Sequence, residues 1–227
     1  PLIRATAGDR LRIRVENRLP ADTTVHWHGI ALANGADGVP GVTQDPIAAE
    51  ATYTYDFTAP DPGTYFYHPH VGVQLDRGLY APLIIDDPQE PGAYDHEWIL
   101  VLDDWVDGTG RTPDEVLAAL TSSRDNGGMP GMDHGNMGGM EGMDMSSGSS
   151  EGMAGMDHGA ISAGDSPYGD DAGDVSYPHY LVNGRVPADP EVLTAKPGQK
   201  VRLRIINAAA DTIFTVALGG HRMTVTH

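Results

Sequence analysis

The chain has 227 residues, with 32 acidic against 14 basic side chains and a formal net charge of −18, a balance that repels nucleic acid and anionic membrane surfaces and suits a cationic partner or metal ion. It contains no cysteine, which excludes disulfides and thiolate metal sites within it, and it has no run of about 18 apolar residues that would span a membrane. Gly and Pro contribute 29 and 17 residues, and the short apolar segments keep no 3.6-residue period, so the expectation is an all-β protein of two domains.

From the N-terminus, Gly8-Asp9-Arg10-Leu11-Arg12-Ile13-Arg14-Val15-Glu16-Asn17 alternates basic and apolar residues, a strand that turns Leu11, Ile13 and Val15 toward a core. Thr24-Val25-His26-Trp27-His28-Gly29 follows, and the period of two places His26 and His28 on one face of a strand and Trp27 on the other. Asp37-Gly38 reads as a turn. Tyr53 and Tyr55, then Tyr65 and Tyr67, alternate along strands and read as packing residues. The segment from Gly63 ends in a second His-x-His, His68-Pro69-His70. Pro69 has no N–H to give a ladder, so this strand is expected at a sheet edge, or leaving the sheet where the imidazoles project. Two such pairs among only 10 histidines gather four imidazoles, a donor set that copper and zinc both accept.

A domain boundary is expected near Pro88 to Gly92, then a strand over Trp98 to Leu102 and a short helix over Pro113 to Leu120 with Thr112 as its N-cap. Residues 125 to 174 are rich in Gly, Ser, Asp and Met and cannot readily bury a core, which reads as a mobile insertion. Within it Gly-Met-Asp-His-Gly occurs at 131 to 135 and again at 155 to 159. Thioethers suit Cu(I), so Met129, Met132, His134, Met137, Met140, Met143, Met145, Met153, Met156 and His158 are candidates for copper capture; the alternative is a flexible linker. Gly198 to Asn207 then repeats Gly8 to Asn17 without a gap, pointing to two related β-domains. Extending that register sets Val216 against His26 and Leu218 against His28, so the second copy is expected to keep the strand without the imidazoles. His96, His179 and His221 read as structural, and His227 is terminal. The start at Pro1-Leu2-Ile3 lacks a charged and apolar leader pattern, so any export signal is expected to have been removed or never included, and the chain is expected to be a fragment, lacking strands before Pro1 and the second copy's counterpart of Thr64 to Ile85.

Residues 4 to 86 resemble the multicopper oxidases, the family of laccases, ascorbate oxidases and cuprous oxidases. The resemblance rests on His26-Trp27-His28-Gly29, Asp37-Gly38-Val39-Pro40, Gln44, Gly63-Thr64-Tyr65-Phe66-Tyr67-His68-Pro69-His70, Gly78-Leu79 and Leu83-Ile84-Ile85. Phe66 stands where Trp is frequent, and Pro69 where Ser is. A weaker likeness to the second domain of three-domain members covers 96 to 105 and 180 to 227. The resemblance implies cupredoxin-like Greek-key β-sandwich domains: a first over 1 to 90, and a second, incomplete one over 91 to 227. It implies that His26 binds a type 2 copper and that His28, His68 and His70 bind a type 3 pair, where dioxygen is reduced to water. Asp37 would help deliver protons. The remaining ligands and the type 1 site, with its Cys, would come from a C-terminal cupredoxin domain absent here, so this fragment alone should not oxidise the Cu(I), phenols or aromatic amines that serve as reductants. An extracytoplasmic location follows from the same resemblance. A copper-binding or sequestration protein without turnover is the alternative.

Overall fold

The computed structural model describes residues 1–126 and 175–226. Pro1–Ala118 and Val175–His227 form one compact unit and Ala119–Asp174 a second, of which only the end of one helix is described. The candidate copper-capture residues from Met129 to His158 lie outside the described residues.

The structure is built from strands, as expected. β1 (Ile3–Thr6), β2 (Arg10–Glu16), β3 (His26–His28), β4 (Thr52–Thr58), β5 (Gly63–His68) and β6 (Ala81–Asp86) precede β7 (His96–Trp105), the helix α1 (Pro113–Asn126), β8 (His179–Val182) and β9 (Val201–Asn207). The basic-apolar alternation of β2 is resolved by its antiparallel pairing with β4, in which Leu11 faces Phe57 and Ile13 faces Tyr55. Arg10 on the outer face pairs with Asp56 at 2.7 Å. A second sheet runs in the order β1-β6-β5-β3, with β1 parallel to β6 and the other neighbours antiparallel. Between the two sheets lies a core of Leu11, Trp27, Ile30, Ile47, Tyr55, Phe57, Leu83 and Ile85. Ile84, whose side chain must leave β6 on the opposite face, is also fully buried, so the four-stranded sheet is covered on both sides.

The cover comes from the third sheet, β8-β7-β9. Its Val101, Ile206 and Ala208 bury a small cluster together with Phe66, Tyr80 and Ile99. Charged side chains lock the same junction. Arg204 of β9, nearly buried, donates to Glu97 Oε1 at 2.6 Å and to Thr64 Oγ1 at 3.0 Å, while Arg4 of β1 pairs with both Asp86 and Glu97. Arg202 pairs with Glu90 at 2.6 Å and lies over the Tyr94 ring. Buried ions of this kind are tolerated because each is paired and hydrogen-bonded, and removal of one partner is far costlier than the net worth of the pair.

Two sequence expectations change. The helix begins as expected, with the Glu115 N–H donating to Thr112 Oγ1 and the Thr112 N–H to Glu115 Oε2, a reciprocal cap, but it continues to Asn126. The expected strand over Val216 and Leu218 does not form: residues 212–218 carry no strand, and both side chains are exposed. A strand exists only through its neighbour: in the first copy β5 holds β3, and among the described residues no strand pairs with residues 212–218.

At the end of β7 two carboxylates are buried side by side. Asp104 accepts main-chain N–H groups of Ala210, Asp211 and Thr212 at 3.0, 3.2 and 2.9 Å, which fixes the turn after β9. Asp103 accepts the Tyr80 hydroxyl at 2.6 Å. Burial, with Asp104 beside it, pushes the Asp103 carboxyl up to about 6. A carboxyl raised in the folded state takes up a proton that the unfolded chain does not hold between the two pKa values. Its stabilising contribution is therefore complete below the unfolded value of 3.8 and is lost as pH rises through about 6. In paired denaturant titrations, wild type should lose about 1–3 kcal/mol relative to Asp103→Asn between about pH 4 and 7.5.

Candidate metal centre

The register between β3 and β5 sets His26 directly across from His68, His28 across from Phe66, and Trp27 across from Tyr67. Residues directly opposed on neighbouring strands share a face. Trp27, 1% exposed, and Tyr67 therefore turn into the sandwich core, while His26, His28 and His68 turn outward. β5 is an interior strand of its sheet and β3 the edge. The proline expectation is met by its second alternative: β5 ends at His68, the chain leaves the sheet at Pro69, and His70 reaches the group from beyond the strand. Thr24, buried, holds it there by accepting the His70 N–H on Oγ1 at 3.1 Å. Gln74 ties the same loop to the start of the His-x-His segment, accepting from Thr23 Oγ1 and donating to the Asp22 carbonyl, each at 2.8 Å.

The four imidazoles come together. One ligating nitrogen each from His26, His68 and His70 lies within 4.8 Å of the others, and His28 Nδ1 stands 3.1 Å from His68 Nε2. Three of the rings are held by partners that decide their tautomers. His26 Nδ1 lies 2.8 Å from the Asp37 carbonyl, and His68 Nδ1 lies 3.0 Å from the Pro69 carbonyl. A carbonyl only accepts, so each Nδ1 carries the proton and each Nε2 presents a lone pair. His28 Nδ1 must then donate to His68 Nε2, and a metal ion taken up between them would displace that proton.

The electrostatics favour the same state. Burial pushes His68 down to about 4, and partial desolvation, reinforced by the neighbouring imidazoles, lowers the more exposed His28 and His70. All three are thus neutral lone-pair donors at neutral pH. Two nitrogens bound to one ion through bonds of about 2.0–2.1 Å lie roughly 3 Å apart, so the His28–His68 spacing fits a shared transition metal. Four imidazoles and no thiolate suit copper or zinc. His26, His28, His68 and His70 would hold the metal.

Asp37 is part of the centre in two ways. Its carbonyl orients His26, and its carboxylate Oδ1 lies 3.3 Å from the same Nδ1 while remaining one-third exposed. The turn reading of Asp37-Gly38 holds as well, since Gly38 takes φ +79° and packs so closely that a Cβ would fall 1.9 Å from the Val25 carbonyl oxygen. Sequence reasoning did not reach Thr24, Gln74 or the contact at Gly38, because each acts through a partner distant in sequence. The histidines judged structural remain apart from the centre: His96 Nε2 bonds Gln199 at 3.0 Å and His221 Nδ1 the Gly219 carbonyl at 2.8 Å, while His179 lies on β8.

Family profiles described as multicopper oxidase match residues 1–90 and 96–227. The chain is 48% identical over 235 residues to "Multicopper oxidase MmcO" of Mycobacterium tuberculosis, covering 100% of this chain and 40% of that protein. It is 36% identical to "Copper resistance protein A" of Escherichia coli, covering 99% and 36%. The crystal structure of a blue copper oxidase from Nitrosomonas europaea superimposes with a TM-score of 0.59 at 28% identity, over 92% of this chain and 51% of that one. The chain therefore spans well under half the length of these curated relatives.

The fit at Gly38 yields a test independent of any imidazole. Gly38→Ala must move either the Asp37 turn or the Val25 backbone, and should cost roughly 2–4 kcal/mol by left-handed strain and overpacking. Copper retained against a chelator should fall along with stability in thermal denaturation. Full copper retention would mean that the turn does not orient His26.

Proposed function

The chain belongs to the multicopper oxidase family, and from that premise we propose that His26, His28, His68 and His70 are half of the ligand set of a copper cluster that reduces dioxygen to water. The observation that carries the proposal is the convergence of four imidazoles at the outward face of β3 and β5, three from the strands and His70 from just beyond β5. His26 would serve a type 2 copper and the other three a type 3 pair. His28 stands outside the compact trio and meets His68, which supports several ions over one tetrahedral zinc. Copper bound there supplies one-electron redox chemistry toward dioxygen.

The chain's own groups do the rest. The imidazoles present fixed lone pairs, and the Asp37 carboxylate, open to solvent beside His26, passes protons inward as four electrons and four protons convert dioxygen to two waters. With no cysteine, the electron-entry copper and the remaining histidines would come from a further cupredoxin domain of the complete protein. Residues 1–90 would form a first cupredoxin-like domain and 91–227 part of a second. The electrons would come from Cu(I), a phenol or an aromatic amine, and the likeness to copper resistance proteins favours Cu(I). It also favours an extracytoplasmic setting. The methionines and histidines from Met129 to His158 would capture Cu(I). The twice-repeated Gly-Met-Asp-His-Gly also supports the second reading, a protein that sequesters copper without turnover.

Copper content and oxygen uptake of the full-length protein separate the two readings. The oxidase reading expects several coppers per chain and oxygen uptake on addition of Cu(I), with His68→Ala lowering the uptake at least ~100-fold. Bound copper without oxygen uptake supports sequestration. A selective loss with Cu(I), but not with a phenol, on deletion of residues 129–159 assigns that segment to copper capture. Because Asp37 orients His26 through its main chain, Asp37→Asn should keep its copper while oxygen reduction slows by roughly 10²-fold; loss of copper in that variant would instead give the carboxylate a structural role.

A further inference from the structure

The face of β5 that carries His68 carries Phe66 and Thr64 at the same two-residue period, and each of them touches the third sheet. Thr64 accepts from Arg204 of β9, and Phe66 packs against Val101, Ile206 and Ala208. In the other direction Phe66 lies among the imidazoles. Its ring stacks on His28 at 4.5 Å and 23° and on His68 at 5.2 Å and 20°, and His68 stacks in turn on His70 at 5.0 Å and 26°. His26 alone stands edge-on, at 78° to His28 and 77° to His68.

This arrangement answers a question the hydrogen bonds leave open. His26 and His68 are each fixed by a main-chain carbonyl, whereas His28 is exposed and, among the described residues, its ring bonds only to another imidazole. The terminal torsion of a histidine is broad, so something else must set the plane of that ring. We propose that Phe66 is a positioning residue of the copper centre, its stacked ring holding His28 with Nδ1 toward His68 Nε2 and anchoring both to the core beneath the third sheet. The inference rests on the reading of the four histidines as copper ligands. Phe66 does not touch the metal; it acts through His28.

The test uses the full-length, copper-loaded protein with Phe66→Leu and Phe66→Met, which keep apolar bulk but lose the flat face, and Phe66→Trp, which keeps it. Copper retained against a chelator, the electron paramagnetic resonance spectrum of bound Cu(II), and the melting temperature of the metal-free protein are compared. The expected result is about tenfold or greater loss of copper retention in the Leu and Met variants, with an altered Cu(II) spectrum, both restored in Phe66→Trp. The melting temperature should not track these changes. Wild-type retention and spectrum in either aliphatic variant would overturn the proposal, as would a loss of copper that follows melting temperature across all three. A wild-type protein that binds no copper would overturn the reading of the histidines themselves, and this inference with it.

Discussion

The structure turns on the register between β3 and β5. With His26 set across from His68 and Trp27 across from Tyr67, one face of a three-residue strand joins the sandwich core while the other presents imidazoles. A slip of one residue would exchange the faces, burying two histidines in an apolar core and exposing an indole. Trp27 guards against that slip: it is 1% exposed and packed against Tyr55, Phe57 and Tyr67. The same burial that stabilises the sandwich therefore fixes where the nitrogens point.

Neutrality is the second condition for a centre of this type, and it also comes from packing. Burial acts most strongly at His68, the most enclosed of the four imidazoles, and partial desolvation with the neighbouring imidazoles also lowers His28 and His70. Fixed tautomers follow from carbonyls that can only accept. The centre thus waits as a set of lone pairs, with its one carboxylate, Asp37, at the rim where water can reach it. That division suits a site that must bind metal through nitrogen and exchange protons with solvent.

The outward face of the four-stranded sheet does not end in water. β9 and β7 lie over it, joined by the Arg4–Glu97–Arg204 ion pairs at one end and by the Phe66 cluster at the other. β5 runs between these two anchorages and into the imidazoles, carrying Thr64, Phe66 and His68 on one side. The geometry of the centre is thereby coupled to the packing of residues more than a hundred positions later in the chain. The buried Asp104, holding three main-chain N–H groups after β9, completes that support.

Much of this was legible in the chain. Alternation predicted β2 and the opposed faces of His26-Trp27-His28, because the period of two is a local property of extended backbone, and the short apolar run Trp98 to Leu102 read as a strand. The pairing of two His-x-His segments and their likeness to a family pointed to four histidines that the structure brings together, and the cap at Thr112 was visible from its place before Pro113. Tertiary structure decided the rest. It placed Pro69 beyond the end of an interior strand, drew the Asp37 turn against His26 through the room left by Gly38, and set Phe66 across from His28. It also denied Val216 and Leu218 a strand, since the ladder that makes a strand belongs to two segments and, among the described residues, none pairs with theirs. Periodicity is written into neighbouring residues, whereas register, close approach and hydrogen-bonded tautomers depend on which distant segment arrives opposite. For that reason the candidate ligand residues could be named from sequence, and the orientation of their nitrogens could not.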